Sequence, residues 1–267
     1  MVKTPIVKDL KAGERELDRM ERITTIANQK GGVGKTTCAM NIGYGLAKMG
    51  RTILLVDLDP QANLTSCCGV GTESVEKTIY AVFAKACTLT DTIIEIEDNF
   101  YLAPSHLMLT SIEQELFGRI GYESILKRAL SPIVGDFDHV IIDCPPSLSS
   151  LTINGLVACN EVFITVACDH LSLIGVSKLL DTIEAIRESY NPEIRVGKVI
   201  PVMYSKTILA NEMLKQLQNH FDHTLSPTRI RRNVKIGEAT AVGKSILSYE
   251  PGSIGARDFT DLIRELI

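Results

Sequence analysis

The sequence predicts an α/β fold: a doubly wound, mainly parallel sheet with helices on both faces. Three observations predict it. Short β-branched runs recur along the chain, and several are almost wholly apolar, the pattern of strands buried on both faces. Segments with helical periodicity stand between them. A glycine-rich turn follows the first run and opens into a helix, the arrangement of a βα unit that holds a ligand at the carboxyl edge of its sheet.

Residues 23–28 are the first strand, and the loop 29–37 leads into a helix over 36–48. Residues 52–58 are the next strand, closed by the Asp59-Pro60 turn, and 139–143 another, closed by Pro145-Pro146. Ligands sit at such strand ends in open α/β sheets. Strands over 161–167 and 195–203 follow, with helices over 171–188 and 209–220. In 255–267, Phe259, Leu262, Ile263 and Leu266 fall at helical spacing, with Asp258, Asp261 and Glu265 against Arg257 and Arg264. That charge balance suits a helix docked on the core better than one lying on anionic lipid. Residues 1–22 carry six cations and five anions. The stretch 8–21 reads as a charged surface helix with Leu10, Leu17 and Met20 for docking. No repeat, linker or low-complexity tract divides the rest, so the reading is a charged arm, 1–22, and one domain, 23–267.

Composition narrows the function. The chain has 267 residues, 45% of them hydrophobic, which supplies a buried core and excludes a disordered tail protein. With 28 basic and 32 acidic residues the net charge is −4, so nucleic-acid contact has to come from a local patch. Seven cysteines without a CxxC pair or a secretory signal predict reduced thiols in a cytosolic protein. No apolar stretch reaches the roughly 18 residues that a membrane span needs. Only 22 residues precede the first strand, too few for a helix-turn-helix domain, so site-specific operator binding is not expected. Cys67-Cys68, Cys144 and the histidines His106, His139, His170, His220 and His223 share no metal-ligand spacing.

The loop Gln29-Lys30-Gly31-Gly32-Val33-Gly34-Lys35-Thr36-Thr37 is a phosphate cradle. Gly31, Gly32 and Gly34 leave room for backbone N–H groups to face phosphates. Lys35 reaches the β/γ oxygens, the Thr36 hydroxyl binds Mg²⁺, and Thr37 donates to the α-phosphate. The loop is of P-loop NTPase type but a variant: Gln29 stands where the first glycine belongs, and a second lysine, Lys30, precedes the glycine pair. Asp57, Asp59 and Asp143 end or follow acidic strands, where carboxylates hold Mg²⁺ and orient water.

The run from Lys30 to Thr37 resembles the variant loop of the ParA/MinD group of P-loop ATPases. So do Val56-Asp57-Leu58-Asp59-Pro60-Gln61-Ala62-Asn63, Val140-Ile141-Ile142-Asp143-Cys144-Pro145-Pro146-Ser147, and Arg232-Asn233-Val234-Lys235-Ile236-Gly237-Glu238-Ala239. The resemblance covers roughly 23–267. It implies a slow Mg²⁺-dependent ATPase, with ATP and Mg²⁺ bound by Lys30, Gly31, Gly32, Val33, Gly34, Lys35, Thr36 and Thr37. It gives Asp59 the attacking water, Asp57 the magnesium and switch region, and Asp143 a water-mediated contact to Mg²⁺. Lys30 then reaches across an ATP-sandwich homodimer to the partner's nucleotide, so Lys30, Lys35 and Asp59 are the catalytic set. The base lies near Met203 and the stretch Arg231 to Asn233. The chain departs from the family there, with Arg231-Arg232-Asn233 for Pro-Arg-Asn and Ile174-Gly175 for Glu-Gly.

Arg229, Arg231, Arg232 and Lys235 put four cations in seven residues without an acid, a local patch suited to phosphates of any sequence. By resemblance, Lys235 and Lys206 match DNA-contacting positions. The implied protein is cytoplasmic and nucleoid-associated. It binds double-stranded DNA non-specifically and segregates a plasmid or chromosome when a ParB-like adaptor stimulates hydrolysis; no membrane contact is expected. The alternative is a MinD-like positioning ATPase acting on a membrane or protein cargo.

Overall fold

The computed structural model describes residues 22–116, 118–168 and 172–267. Seven strands, β1 (Arg22–Ala27), β2 (Ile53–Asp57), β3 (Ile94–Glu97), β4 (Phe100–Ala103), β5 (His139–Asp143), β6 (Glu161–Ala167) and β7 (Arg195–Val202), form one sheet in the order β3-β4-β2-β5-β1-β6-β7. The helices are α1 (Lys35–Lys48), α2 (Asn63–Cys67), α3 (Ile79–Phe83), α4 (Leu109–Leu116), α5 (Ile125–Leu130) and α6 (Ser150–Ala158). After them come α7 (Ser172–Ser189), α8 (Ile208–Phe221), α9 (Val234–Ala241), α10 (Ile246–Tyr249) and α11 (Ile254–Arg264).

The apolar strands are buried on both faces because alternate side chains enter different layers. Ile53, Leu55, Ile141 and Phe163 pack with α1 and α9 to α11, whereas Leu54, Val56, Val140, Ile142, Val162 and Ile164 pack with helices from α3 to α8. Helix α1 lies close to the sheet: a Cβ at Gly43 would stand 2.8 Å from Leu55 Cδ2, and one at Gly45 would collide with Cδ1 of Ile263 on α11. The apolar stripe of α11 is docked as its spacing predicts, with Phe259, Leu262, Ile263 and Leu266 buried.

The sequence bounds of β5 and β6 hold to the residue, those of β1 and β2 shift by one at both ends, and that of β7 shifts by one at its C-terminal end. The pair β3 and β4 was not predicted. Residues Ile94-Glu95-Ile96-Glu97 alternate, with Glu95 and Glu97 exposed, as an edge strand does, and β3 runs antiparallel to β4 through a turn in which Asn99 has φ 62°. Beyond β7, residues 224–232 run alongside it through bridges Val199 to Leu225 and Tyr204 to Arg231, both parallel. The charged arm lies outside the described residues, apart from Arg22, whose Nη1 donates to the Leu266 carbonyl at 2.6 Å. His170 lies outside them too.

Candidate functional site

Strands β1, β2 and β5 are adjacent, and their register sets Asp143 beside both Ile26 and Asp57. Their carboxyl ends therefore bring the loop 29–34, the 59–65 segment and Asp143 to one edge. The loop turns at Gly32 and Gly34, with φ of 70° and 71°, values that favour glycine. Gly31 and Gly32 are exposed, while the Val33 side chain is sunk into the core. Asn28 braces the turn: its Oδ1 accepts the Lys30 N–H at 2.9 Å and its Nδ2 donates to the Thr165 carbonyl at 2.6 Å.

Lys35 is buried and its Nζ donates to the Lys30 carbonyl at 3.3 Å. Burial lowers its pKa, against the pull of Asp143, Cys144 and Asp59. The Thr36 hydroxyl donates to Asp143 Oδ2 at 2.6 Å. Asp143 is held well above the usual carboxylate range, first by burial and then by Asp57, with Thr36 and Lys35 opposing. Its second oxygen, Oδ1, is buried without a hydrogen-bond partner among the described residues. A hydroxyl and a carboxylate with a spare oxygen, below exposed glycine backbone and beside a lysine, are the oxygen donors that Mg²⁺ takes together with phosphates, so the residues fit the ion. Burial pushes the Cys67 thiol in α2 up to about 12 and the Cys144 thiol well above its usual range, which keeps both protonated.

Asp57 is fully buried and its pKa is pushed up to about 7 by that burial, against hydrogen bonds from Thr65 and Asp59. Its Oδ1 accepts the Asp59 N–H at 3.1 Å, and its Oδ2 accepts both the Thr65 N–H and hydroxyl, at 2.8 and 2.7 Å. Both Asp57 oxygens are thus committed to the 59–65 segment. Asp59 is also buried, and its Oδ1 accepts the Gln61 N–H at 2.9 Å.

Next to the loop lies a cavity of about 460 Å³ lined by Gly34, Thr37, Met203, Asn233, Ile236 and Gly237 among others. The structure thus brings Met203 and Asn233 to one cavity with Gly34 and Thr37 of the loop. Arg231 lines the cavity too, but its guanidinium is committed elsewhere: Nε and Nη2 donate to the buried Asp258 carboxylate, which also takes the Arg231 N–H at 2.9 Å. Asn233 caps α9, its Oδ1 accepting the Lys235 N–H at 2.9 Å.

The other cations gather beyond β7. Lys206 is exposed ahead of α8, and Arg229 and Arg232 are exposed on the strip 224–232. Arg229 and Arg232 lie against Tyr204: the Arg229 guanidinium stands 5.2 Å from its ring centroid, and the Arg232 N–H donates to its carbonyl at 3.0 Å. Lys235 is ion-paired, with Nζ 2.7 Å from Glu238 Oε2.

Residues 21–196 match the family described as AAA domain, AAA_31. The sporulation initiation inhibitor protein Soj of Bacillus subtilis is 38% identical over 249 residues, 92% of this chain and 98% of that protein. The chain belongs to the Soj/ParA family of partition ATPases. Another member, the chromosome partitioning protein ParA of Myxococcus xanthus, is 35% identical over 257 residues, 96% of this chain and 91% of that one. Among solved structures, a Mycobacterium smegmatis protein described as cobyrinic acid a,c-diamide synthase, with ATP analogue and magnesium bound, superposes with a TM-score of 0.81. It is 34% identical and covers 92% of this chain and 93% of that one. As in this family's P-loop fold, the chain's parallel strands deliver the loop and acidic residues to one edge. Among the described residues, no helix is long and apolar enough to cross a membrane.

Asn28, Thr65 and Asp258 are site residues that the sequence reading missed. Each acts through a partner remote in the chain or through buried geometry, and only the position of Asn28 immediately before the loop signalled it.

Proposed function

We propose that this chain is a Mg²⁺-dependent ATPase that closes into an ATP-sandwich homodimer, binds double-stranded DNA non-specifically in that state, and releases it after hydrolysis. The observation that carries the reading is Asp143, joined to Thr36 and carrying a buried oxygen without a hydrogen-bond partner among the described residues, below the glycine loop. Bound Mg²⁺ supplies charge neutralisation at the β/γ oxygens. Thr36 and Asp143 hold the ion, with Asp57 supporting them through the switch segment. Lys35 and the N–H groups of 30–37 hold the phosphates, and Met203, Arg231 and Asn233 border the base. Asp59 orients the attacking water. Lys30 belongs to the partner's nucleotide, which makes hydrolysis depend on dimerisation.

The link from nucleotide to DNA runs through α9. Ile236, Gly237 and Thr240 line the base cavity while Lys235 stands exposed on the same helix. With Lys206, Arg229 and Arg232 it forms the DNA-contacting set, acting on phosphates. A nucleotide shifts DNA affinity by its differential contacts with monomer and dimer. Residues 23–267 work as one domain, in the cytoplasm and on the nucleoid, and a ParB-like adaptor on a plasmid or chromosome sets the hydrolysis rate.

The test is binding to random-sequence duplex DNA with ATP and with ADP across a salt series, for wild type, Lys35→Ala, Asp59→Ala and Lys235→Ala. Binding should need ATP, weaken with salt, vanish in Lys35→Ala, persist without release in Asp59→Ala and drop in Lys235→Ala. Absence of DNA binding in both nucleotide states, with binding to anionic liposomes, would replace this reading with a MinD-like one.

A further inference from the structure

Thr65 has no solvent exposure, and its hydroxyl both donates and accepts. A threonine hydroxyl has one donor and two acceptor positions. The donor goes to Asp57 Oδ2 at 2.7 Å, and the oxygen accepts the Ser105 N–H, in the loop after β4, at 3.0 Å. The Thr65 N–H adds a second bond to the same Asp57 oxygen at 2.8 Å, while the other Asp57 oxygen takes the Asp59 N–H at 3.1 Å. One buried carboxylate therefore grips both ends of 59–65, and Thr65 ties that grip to the neighbouring strand end. Between the two grips the chain passes through Ala62 at φ 52°, a conformation that an alanine does not hold unaided. Helix propensity gives no reason for threonine in α2, and a valine would fill the same volume without the hydroxyl.

We propose that Thr65 is a positioning residue for ATP hydrolysis: through Asp57 and Ser105 its hydroxyl fixes the 59–65 segment and so aims Asp59. The role rests on the hydrolytic reading given above. Thr65 touches no reacting atom. It works by holding the backbone that carries Asp59, and displacement of a positioned group by an ångström slows turnover by about 10²-fold.

The test compares wild type, Thr65→Val and Thr65→Ser by kcat, ATP dissociation constant and amide hydrogen exchange. Thr65→Val should lower kcat by about 10²-fold, leave ATP affinity within about threefold, and speed exchange at 59–65 and at Ser105. Thr65→Ser, which keeps the hydroxyl and folds with less disturbance, should return kcat to within about threefold of wild type. Wild-type turnover and unchanged exchange in Thr65→Val would overturn the role. So would a serine variant as slow as valine, which points to methyl packing, or ATP affinity lost in step with turnover, which points to general loss of structure. A wild-type protein that binds ATP without turnover overturns the hydrolytic reading itself and takes the role with it. The wild-type control separates that result from failure of Thr65 alone.

Discussion

The Thr36 hydroxyl donates to Asp143 Oδ2 at 2.6 Å, while the other oxygen of the same carboxylate is buried with no hydrogen-bond partner among the described residues. A buried acceptor left unpaired costs about 1–3 kcal/mol, so this corner is incomplete without a further group. On the reading proposed above, the coordination shell of Mg²⁺ would supply that group. Asp143→Asn should therefore weaken nucleotide binding in Mg²⁺ by at least about tenfold, on the scale of lost supporting metal contacts, and leave binding in EDTA nearly unaltered. Calorimetric titration in both buffers checks this. An equal Mg²⁺ dependence in the variant would exclude Asp143 from the metal site.

Lys30 invites a cleaner separation of binding from turnover. Its main chain is fixed independently of its side chain: Asn28 accepts its N–H and Lys35 donates to its carbonyl. Lys30→Ala should keep the loop and monomeric ATP affinity while losing the ATP dimer and hydrolysis. Sedimentation velocity with ATP, alongside phosphate release, reads both. Unchanged turnover would remove the cross-dimer role.

How much of this was legible from residues alone depended on the distance over which each interaction acts. The strands β5 and β6 were readable because they are almost continuously apolar, a local property. The antiparallel β3 and β4 were not, since the Ile-Glu alternation of β3 is short and charged. Lys35, Thr36 and Asp143 were readable because motifs stand at strand ends. Thr65 was hidden because its second partner, Ser105, is 40 residues away, and the commitment of Arg231 was hidden because Asp258 is 27 residues on. Charge clusters read from sequence count cations before their neighbours are known: of the four in 229–235, Arg231 and Lys235 are ion-paired.

His139 supplies a pH dependence of stability. It is buried in β5 with Nε2 2.7 Å from Thr24 Oγ1, and its pKa is lowered from 6.5 to about 3 by burial and then by Arg22. The folded state keeps it neutral, whereas the unfolded chain takes a proton below about 6.5. Its contribution is complete above that pH and is lost progressively as pH falls from about 6.5 toward about 3. At about pH 5 the loss is on the order of 2 kcal/mol. Urea unfolding of wild type and His139→Gln at about pH 7.5 and about pH 5 should give the wild type the steeper fall. Parallel falls would show that another group governs acid sensitivity.

The Lys235 and Glu238 pair sets the last expectation. Oε2 of Glu238 accepts from Lys235 Nζ at 2.7 Å and from the Tyr249 hydroxyl at 3.1 Å, so the carboxylate is held beside the cation from two elements. Glu238 raises the Lys235 pKa, and the ammonium stays charged. A DNA phosphate has to compete with that carboxylate for the same ammonium, and exposed pairs of this kind are weak enough to be displaced. Glu238→Gln removes the competitor and one negative charge while keeping an acceptor for Tyr249. DNA affinity with ATP should rise, and Lys235→Ala should flatten the dependence of log K on log salt by about one unit. In the double variant the gain from Glu238→Gln should shrink, because it acts mainly through Lys235. Anisotropy titrations of a labelled random duplex across a salt series read all three. A Glu238→Gln gain that persists in full without Lys235 would assign the DNA contact to Lys206, Arg229 and Arg232 instead.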